Sequence, residues 1–265
     1  MLAGVLGWPV GHSRSPAIQN AAFRELGLDW RYVKLPVPPE LFDETVRALP
    51  VSGYRGANVT IPHKHAALAL ADERSAAAAA IGAANTLLFS EEGKVQADNT
   101  DAPGFLAALG EDPAGKRALV LGAGGAGRAV VWALREAGAA GVAVWNRTPD
   151  RAAALANDLG VTHAERPGPC DLLVNATSVG LDPPLEGDEA LRALGLDALE
   201  PPPVVVDLVY SGEKPTALLE WARGAGSRTV DGLEVLVRQG ALSFERWTGR
   251  EAPLEAMRAA VLSKS

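Results

Sequence analysis

Short apolar runs alternate with stretches of helical period along most of the chain. Leu2–Leu6 is one such run, closed by Gly7 and Pro9. Ser15-Pro16 then opens a helix, with a hydroxyl N-cap and proline at the first helical position. Its apolar residues Ile18, Ala21, Ala22 and Leu26 recur at helical spacing, and Gly27 stops it. The same reading predicts strands over Trp30–Val37 and Tyr54–Ile61, and helices over Pro39–Leu49 and Lys64–Ala71. Ala84–Ser90 and Lys94–Asp98, joined by Glu91-Glu92-Gly93, read as a hairpin. The alanine run Ala76–Ala80 favours helix.

Gly110–Lys116 is polar and rich in turn residues, and reads as a hinge or linker. Beyond it the pattern predicts strands over Arg117–Leu121, Gly141–Trp145, Asp171–Asn175, Pro203–Leu208 and Arg228–Val230. Helices are predicted over Gly127–Ala137, Pro149–Leu159 and Thr216–Arg223, with two more over Leu233–Trp247 and Glu251–Leu262. Strands alternating with helices imply mostly parallel sheets covered by helices on both faces.

Composition narrows the class. With 265 residues, 48% hydrophobic and 22% charged, the chain is long enough for one large or two modest domains and is not disordered. Lys+Arg 25 against Asp+Glu 32 gives a net charge of −7, which argues against a nucleic-acid or anionic-membrane partner. No apolar run is long enough to span a membrane, and no basic segment precedes an apolar stretch at the amino terminus, so a soluble cytoplasmic protein is expected. The single cysteine, Cys170, excludes an internal disulfide and reads as a small buried residue. His12, His63, His65 and His163 have no metal-ligand spacing, so no metal is expected and surface or turn positions are the default.

The most specific local signal is Gly122-Ala123-Gly124-Gly125-Ala126-Gly127, a G-x-G-x-x-G run between an apolar strand and a helix. Gly122 permits the tight turn, Gly124 lets backbone approach a pyrophosphate, and Gly127 lets helix pack on strand. Helix-start N–H groups and the dipole then hold phosphate. A nicotinamide cofactor without a 2′-phosphate usually meets an acidic residue ~20 positions on. Here the next strand ends in Trp145-Asn146-Arg147-Thr148, with Arg151 a helical turn further. Guanidinium forks suit a phosphate, which indicates NADP. A solvated arginine at a helix start is the alternative.

Small polar clusters stand at strand ends or the turns after them in the first half: Gly11–Pro16, Asn58–Lys64, Ala84–Thr86 and Asp98–Asp101. Open α/β sheets place ligands there. Their hydroxyls, amides, one lysine and one carboxylate suit a small polyhydroxylated acid. Ser15 could equally be only an N-cap, and Asn58 and Thr60 only turn residues.

Together these segments resemble the shikimate dehydrogenase family over essentially the whole chain. The resemblance rests on Ser13-x-Ser15-Pro16, Asn58-Val59-Thr60-x-Pro62-x-Lys64, Gly82–Thr86, Asn99-Thr100-Asp101-x-x-Gly104, the glycine turn and Asn146-Arg147-Thr148. It continues through Asn175-Ala176-Thr177-Ser178-x-Gly180, Asp207-x-x-Tyr210, Asp231-Gly232-Leu233 and Gln239. Gln19 and Val235 depart from the family pattern, at positions where histidine and methionine are common. The resemblance implies an α/β enzyme of two domains. A substrate domain of residues 1–100 plus 237–265 and an NADP-binding Rossmann domain of residues 101–236 would have the active site in the cleft between them. It also implies reversible NADPH-dependent reduction of 3-dehydroshikimate to shikimate in aromatic amino-acid biosynthesis.

Carried over by position, Lys64 and Asp101 are the catalytic pair. Ser13, Ser15, Thr60, Asn85, Asp101 and Gln239 bind substrate, with Asn58 and Tyr210 beside them. Gly122, Ala123, Gly124, Gly125, Ala126, Asn146, Arg147, Thr148 and Arg151 bind NADP, and Thr177, Leu208 and Gly232 line its nicotinamide side. A monomer or homodimer is expected. An NAD-dependent quinate/shikimate enzyme, a folate-linked methylene dehydrogenase and an NADP-sensing regulator are the rivals. Arg147 opposes the first, the Ser-x-Ser-Pro segment and Asp101 the second, and retention of both Lys64 and Asp101 the third.

Overall fold

The computed structural model describes residues 1–181, 185–210 and 214–262. The chain forms two compact units, one of Met1–Gly104 with the chain from Leu236, the other of Phe105–Val235.

The first unit contains β1 (Leu2–Gly7), α1 (Ser15–Glu25), β2 (Arg31–Pro36), α2 (Phe42–Ala48), β3 (Tyr54–Val59), α3 (Lys64–Leu70), β4 (Glu73–Arg74), α4 (Ala76–Ile81), β5 (Thr86–Phe89), β6 (Val95–Asp98) and the start of α5 (Asp101–Leu109). Its sheet runs β2-β1-β3-β5-β6-β4. β1 pairs in parallel with β2 and β3, whereas β5 is antiparallel to both β3 and β6. The predicted hairpin is present, and it makes this sheet mixed. Leu6, Phe42, Val46, Val59, Leu87 and Val95 fill one core beneath the sheet.

Two local expectations change. Pro39–Leu41 is a 3₁₀ turn and the α-helix starts only at Phe42. Ser15 is the first residue of α1, not its cap: Arg14 holds the N-cap position without a side-chain bond, and the Ser13 hydroxyl accepts the Ser15 N–H at 3.3 Å.

The second unit contains β7 (Arg117–Leu121), α6 (Gly125–Glu136), β8 (Gly141–Trp145), α7 (Pro149–Leu159), β9 (Thr162–His163), β10 (Leu172–Asn175), α8 (Gly187–Ala193), β11 (Val204–Asp207), α9 (Ala217–Gly224) and β12 (Arg228–Val230). Its sheet, β12-β11-β10-β7-β8-β9, is parallel throughout. β9 and α8 are additions to the predicted set, as are β4 and α5. Leu119, Leu121, Leu173, Val205, Leu218 and Leu219 pack one face of the sheet.

Both crossings between units fall inside helices: within α5, and within α10 (Gly232–Thr248), which is followed by α11 (Leu254–Leu262). The sequence reading draws these boundaries after residues 100 and 236. Gly110–Lys116, expected as the linker, lies wholly within the second unit, where the Gly115 N–H donates to the Gly138 carbonyl at 3.1 Å.

Candidate active site

One edge of the first sheet gathers the polar clusters. β1, β3 and β6 end at this edge and the antiparallel β5 begins there, so their loops open side by side. Lys64 is the first residue of α3, and its backbone is fixed on two sides. The Ala84 N–H donates to the Lys64 carbonyl at 2.9 Å. Neighbouring His63 is buried, stacked on Phe42 at 4.3 Å between centroids, with Nε2 2.7 Å from the Val37 carbonyl. His63 therefore closes the turn after β3, as a turn position expects, but is buried and not at the surface.

The Lys64 ammonium donates to Asp101 Oδ2 at 2.6 Å, with side-chain exposures of only 13% and 19%. Asp101 opens α5, where the helix dipole favours an acid. Lys64, at the start of α3, has no such support, so the carboxylate partner offsets an unfavourable placement. Asn85, leading into β5, donates to Asp101 Oδ1 at 2.8 Å and to Gln239 Oε1 at 3.2 Å, while its own Oδ1 accepts the Thr100 N–H at 2.7 Å. Gln239 comes from α10. Gly104 lets that helix approach, since a Cβ there would sit 2.6 Å from the Gln239 Cβ. Lys64, Asp101, Asn85 and Gln239 thus form one hydrogen-bonded set drawn from distant parts of the chain.

Beneath this set lies a polar layer that the sequence reading only partly finds. Asn58 is buried, accepts the Tyr32 hydroxyl at 2.7 Å and donates to the Ser243 hydroxyl at 2.8 Å. Ser243 also contacts the Thr86 and Thr100 hydroxyls at 2.9 and 3.1 Å and donates to the Gln239 carbonyl. The Asn58 amide is therefore engaged inside the protein, holding the floor under Asn85. Ser243 belongs to none of the sequence motifs, although its place one helical turn after Gln239 is a usable signal. Asp98 anchors the next loop by accepting from Arg246 at 2.7 Å and from the Asn99 N–H at 2.8 Å. Burial alone would raise its pKa, but donation from Ser75, Arg246 and Asn99 holds the carboxyl below its usual range.

Thr60 follows β3 in the loop that leads to Lys64, and its methyl packs against Gly7 at the end of β1. Ser13, in the β1–α1 connection, and Ser15, which opens α1, are both buried at that edge. They make no hydrogen bond to the Lys64 set among the described residues.

In the second unit the glycine turn follows β7 and runs into α6. Gly122 has φ +108°, and a Cβ at Gly127 would lie 2.1 Å from the Gly122 carbonyl oxygen, so both positions need glycine. A Cβ added at Gly124 would meet nothing within 4 Å, so the turn is open to an approaching group. The turn sits where the strand order reverses, between β7 and β10, which is the ligand-binding position of such sheets. Asn146 accepts the Ala123 N–H at 3.3 Å and donates to the Thr148 carbonyl at 3.0 Å, tying the glycine turn to the β8–α7 turn. Arg147, Thr148 and Arg151 are exposed there, ready for an anion. Gly125 and Ala126 form the first turn of α6. A pyrophosphate at the turn and a phosphate at the arginines therefore fit the residues present. Thr177 follows β10, Leu208 and Tyr210 follow β11, and Gly232 opens α10 with the Leu208 carbonyl 2.6 Å from where its Cβ would be.

Cys170 is half-buried, and burial pushes its thiol up to about 11, so it stays protonated and inert at neutral pH. Asp207, part of a sequence motif but with no role evident from it, is buried at the end of β11, and burial lifts its carboxyl to about 7. Above an unfolded value of 3.8 the folded state holds a proton that the unfolded chain has released. Its contribution to stability is thus complete below about pH 4 and is lost as pH rises through about 7. Denaturant midpoints at pH 5 and pH 8 should show a stability difference in the parent that Asp207→Asn reduces.

A parallel sheet with this glycine turn at its switch point, in a chain whose other unit carries a half-buried lysine–carboxylate pair, defines a dinucleotide-binding enzyme of the two-unit α/β class. Residues 5–87 match the shikimate dehydrogenase substrate binding domain, residues 107–168 the shikimate/quinate 5-dehydrogenase model, and residues 232–262 the shikimate 5'-dehydrogenase C-terminal domain. The chain is 46% identical to the shikimate dehydrogenase (NADP(+)) of Methanopyrus kandleri over 98% of this chain and 94% of that protein. Among solved structures it resembles shikimate 5-dehydrogenase from Thermus thermophilus in complex with NADP(H) and shikimate, with 42% identity, 98% of each chain covered and TM-score 0.83. It also resembles the 5-ketofructose reductase of a Gluconobacter species, with 32% identity over 98% and 97% of the two chains and TM-score 0.81. The chain belongs to the shikimate dehydrogenase family.

Proposed function

We propose that this protein catalyses the reversible, NADPH-dependent reduction of 3-dehydroshikimate to shikimate, a step of aromatic amino-acid biosynthesis. The observation that carries the reading is the Lys64–Asp101 pair set among Asn85 and Gln239. A fold shared with a 5-ketofructose reductase does not choose the substrate; side chains do. Ser13, Ser15, Thr60, Asn85 and Gln239 offer hydroxyls and amides to a carboxylate and ring hydroxyls, and Tyr210, of the second unit, offers a further hydroxyl. Asn58 fixes the floor of this site.

Bound NADPH supplies the hydride, held through Gly122–Ala126, Asn146, Arg147, Thr148 and Arg151 with Thr177, Leu208 and Gly232 at its nicotinamide end. As charge grows on the ketone oxygen, the Lys64 ammonium stabilises it and gives it a proton. Asp101 holds that ammonium in place, and Asn85 holds Asp101. In the reverse direction the uncharged amine of Lys64, the form left by the forward transfer, takes the proton from the hydroxyl as hydride leaves the carbon for NADP⁺. The reading includes a cytoplasmic enzyme acting as monomer or homodimer. No helix among the described residues is long and apolar enough to cross a membrane.

Shikimate and NADP⁺ together should generate absorbance at the reduced-nicotinamide wavelength with purified protein, and neither alone should do so. No signal with shikimate would overturn the assignment. Within it, Ser13→Ala should weaken shikimate binding while leaving NADP⁺ affinity, measured alone, unchanged. The variant also loses the bond to the Ser15 N–H, which at 3.3 Å is a weak cap worth at most about 1 kcal/mol. A melting temperature lowered by more than a few degrees with shikimate affinity intact would make Ser13 purely structural.

A further inference from the structure

We infer that Asn175 and Asp207 are a positioning couple that sets the two loops facing the nicotinamide. The inference rests on the reading of the second unit as the NADP-binding one. Asn175 and Asp207 are the last residues of β10 and β11 and are register partners across the parallel pair. Both are essentially buried. The Asn175 side chain donates to Asp207 Oδ1 at 2.8 Å, so one bond joins the ends of the two strands.

Each partner then reaches forward into its own loop. Asn175 Oδ1 accepts the Thr177 N–H at 3.0 Å and its hydroxyl at 2.7 Å. The Thr177 hydroxyl in turn accepts the Val179 N–H at 3.1 Å. Asp207 Oδ1 accepts the Val209 N–H at 3.0 Å, and Oδ2 accepts the Thr216 hydroxyl, the N-cap of α9, at 2.6 Å. The Leu208 N–H donates to the Asn175 carbonyl at 2.9 Å. Thr177 and Val209, on different loops, are thus referred to the same two side chains, and Leu208 lies between Asp207 and Val209.

The first loop also touches the glycine turn. A Cβ on Gly122 would meet the Ala176 carbonyl at 2.8 Å and the Thr177 nitrogen at 3.0 Å. A shift of the Asn175–Asp207 bond therefore moves the backbone that borders the dinucleotide site, while Arg147 and Arg151, beyond β8, stay where they are. An apolar pair would hold two strand ends together without the cost of burying a carboxylate. What the polar pair adds is four fixed directions for loop N–H and hydroxyl groups.

The test compares two ends of the cofactor. Asn175→Ala should lower kcat for shikimate oxidation about tenfold and raise the KM for NADP⁺ by a similar factor. Its affinity for 2′,5′-ADP, which lacks the nicotinamide, should stay within about twofold of the parent. Asp207→Leu should behave like Asn175→Ala, whereas Asp207→Asn, which can still accept from Asn175 and Val209, should keep most of kcat. Unchanged kcat and KM in a folded Asn175→Ala would overturn the inference and leave the functional reading intact. Equal loss of 2′,5′-ADP affinity, or failure of both Asn175→Ala and the milder Asn175→Ser to fold, would make the pair structural and also overturn it. A parent protein with no shikimate-dependent NADP⁺ reduction sinks both.

Discussion

Replacing Lys64 by methionine is expected to lower kcat by about 10²- to 10⁴-fold, the range a positioned acid–base group supplies. Methionine keeps much of the side-chain volume and removes the ammonium. The KM for shikimate should change far less, because the lost interaction strengthens as charge develops on the reacting oxygen. The substitution also leaves Asp101 without its cation at 19% side-chain exposure, still held by Asn85 at 2.8 Å. Asp101→Asn keeps the shape but weakens the hold on Lys64, so kcat should fall in that variant as well. In the double variant the combined loss should be smaller than the product of the two single losses, because a 2.6 Å pair acts as a unit. NADP⁺ affinity should persist in all three, since the glycine turn and Arg147 belong to the other unit. Most of the parental kcat surviving in Lys64→Met at saturating substrate would reduce Lys64 to a binding residue.

The lysine and the carboxylate were singled out through the family resemblance of the motifs that hold them, whereas most strands and helices were legible from periodicity alone. The layer beneath that pair was not. Ser243 reads as an ordinary polar residue on a helix; only the approach of α10 to Gly104 brings it under Asn58, Thr86 and Thr100. His63 lacks any spacing that announces burial, because Val37 and Phe42, which hold it, come from another loop and helix. Ser15 looks like a cap in local sequence, yet the N-cap position falls on Arg14 and the Ser15 N–H turns back to the Ser13 hydroxyl. The Asn175–Asp207 bond needs two strands in register, information that no single window contains. Local chemistry is written locally, and pairing between distant segments is not.

Cofactor preference is expected to follow Arg147. It leaves the end of β8 exposed, just before α7, and no acidic residue stands at Asn146, Arg147 or Thr148 to meet a ribose hydroxyl. Asn146 couples this turn to the glycine turn through the Ala123 N–H, so an anion at the arginine and a pyrophosphate at the glycines belong to one continuous site. A charge-assisted phosphate contact contributes ~1.5–3 kcal/mol, so Arg147→Ala should raise the KM for NADP⁺ roughly 10- to 150-fold. The KM for NAD⁺, which lacks the 2′-phosphate, should stay nearly unchanged. Arg151, one turn into α7, remains in the variant and limits the loss toward the lower end of that range if it shares the phosphate. Arg147→Lys should recover only part of the affinity, since an ammonium supplies the charge without the fork. Equal losses with both cofactors would mean that Arg147 supports the turn and does not select the phosphate.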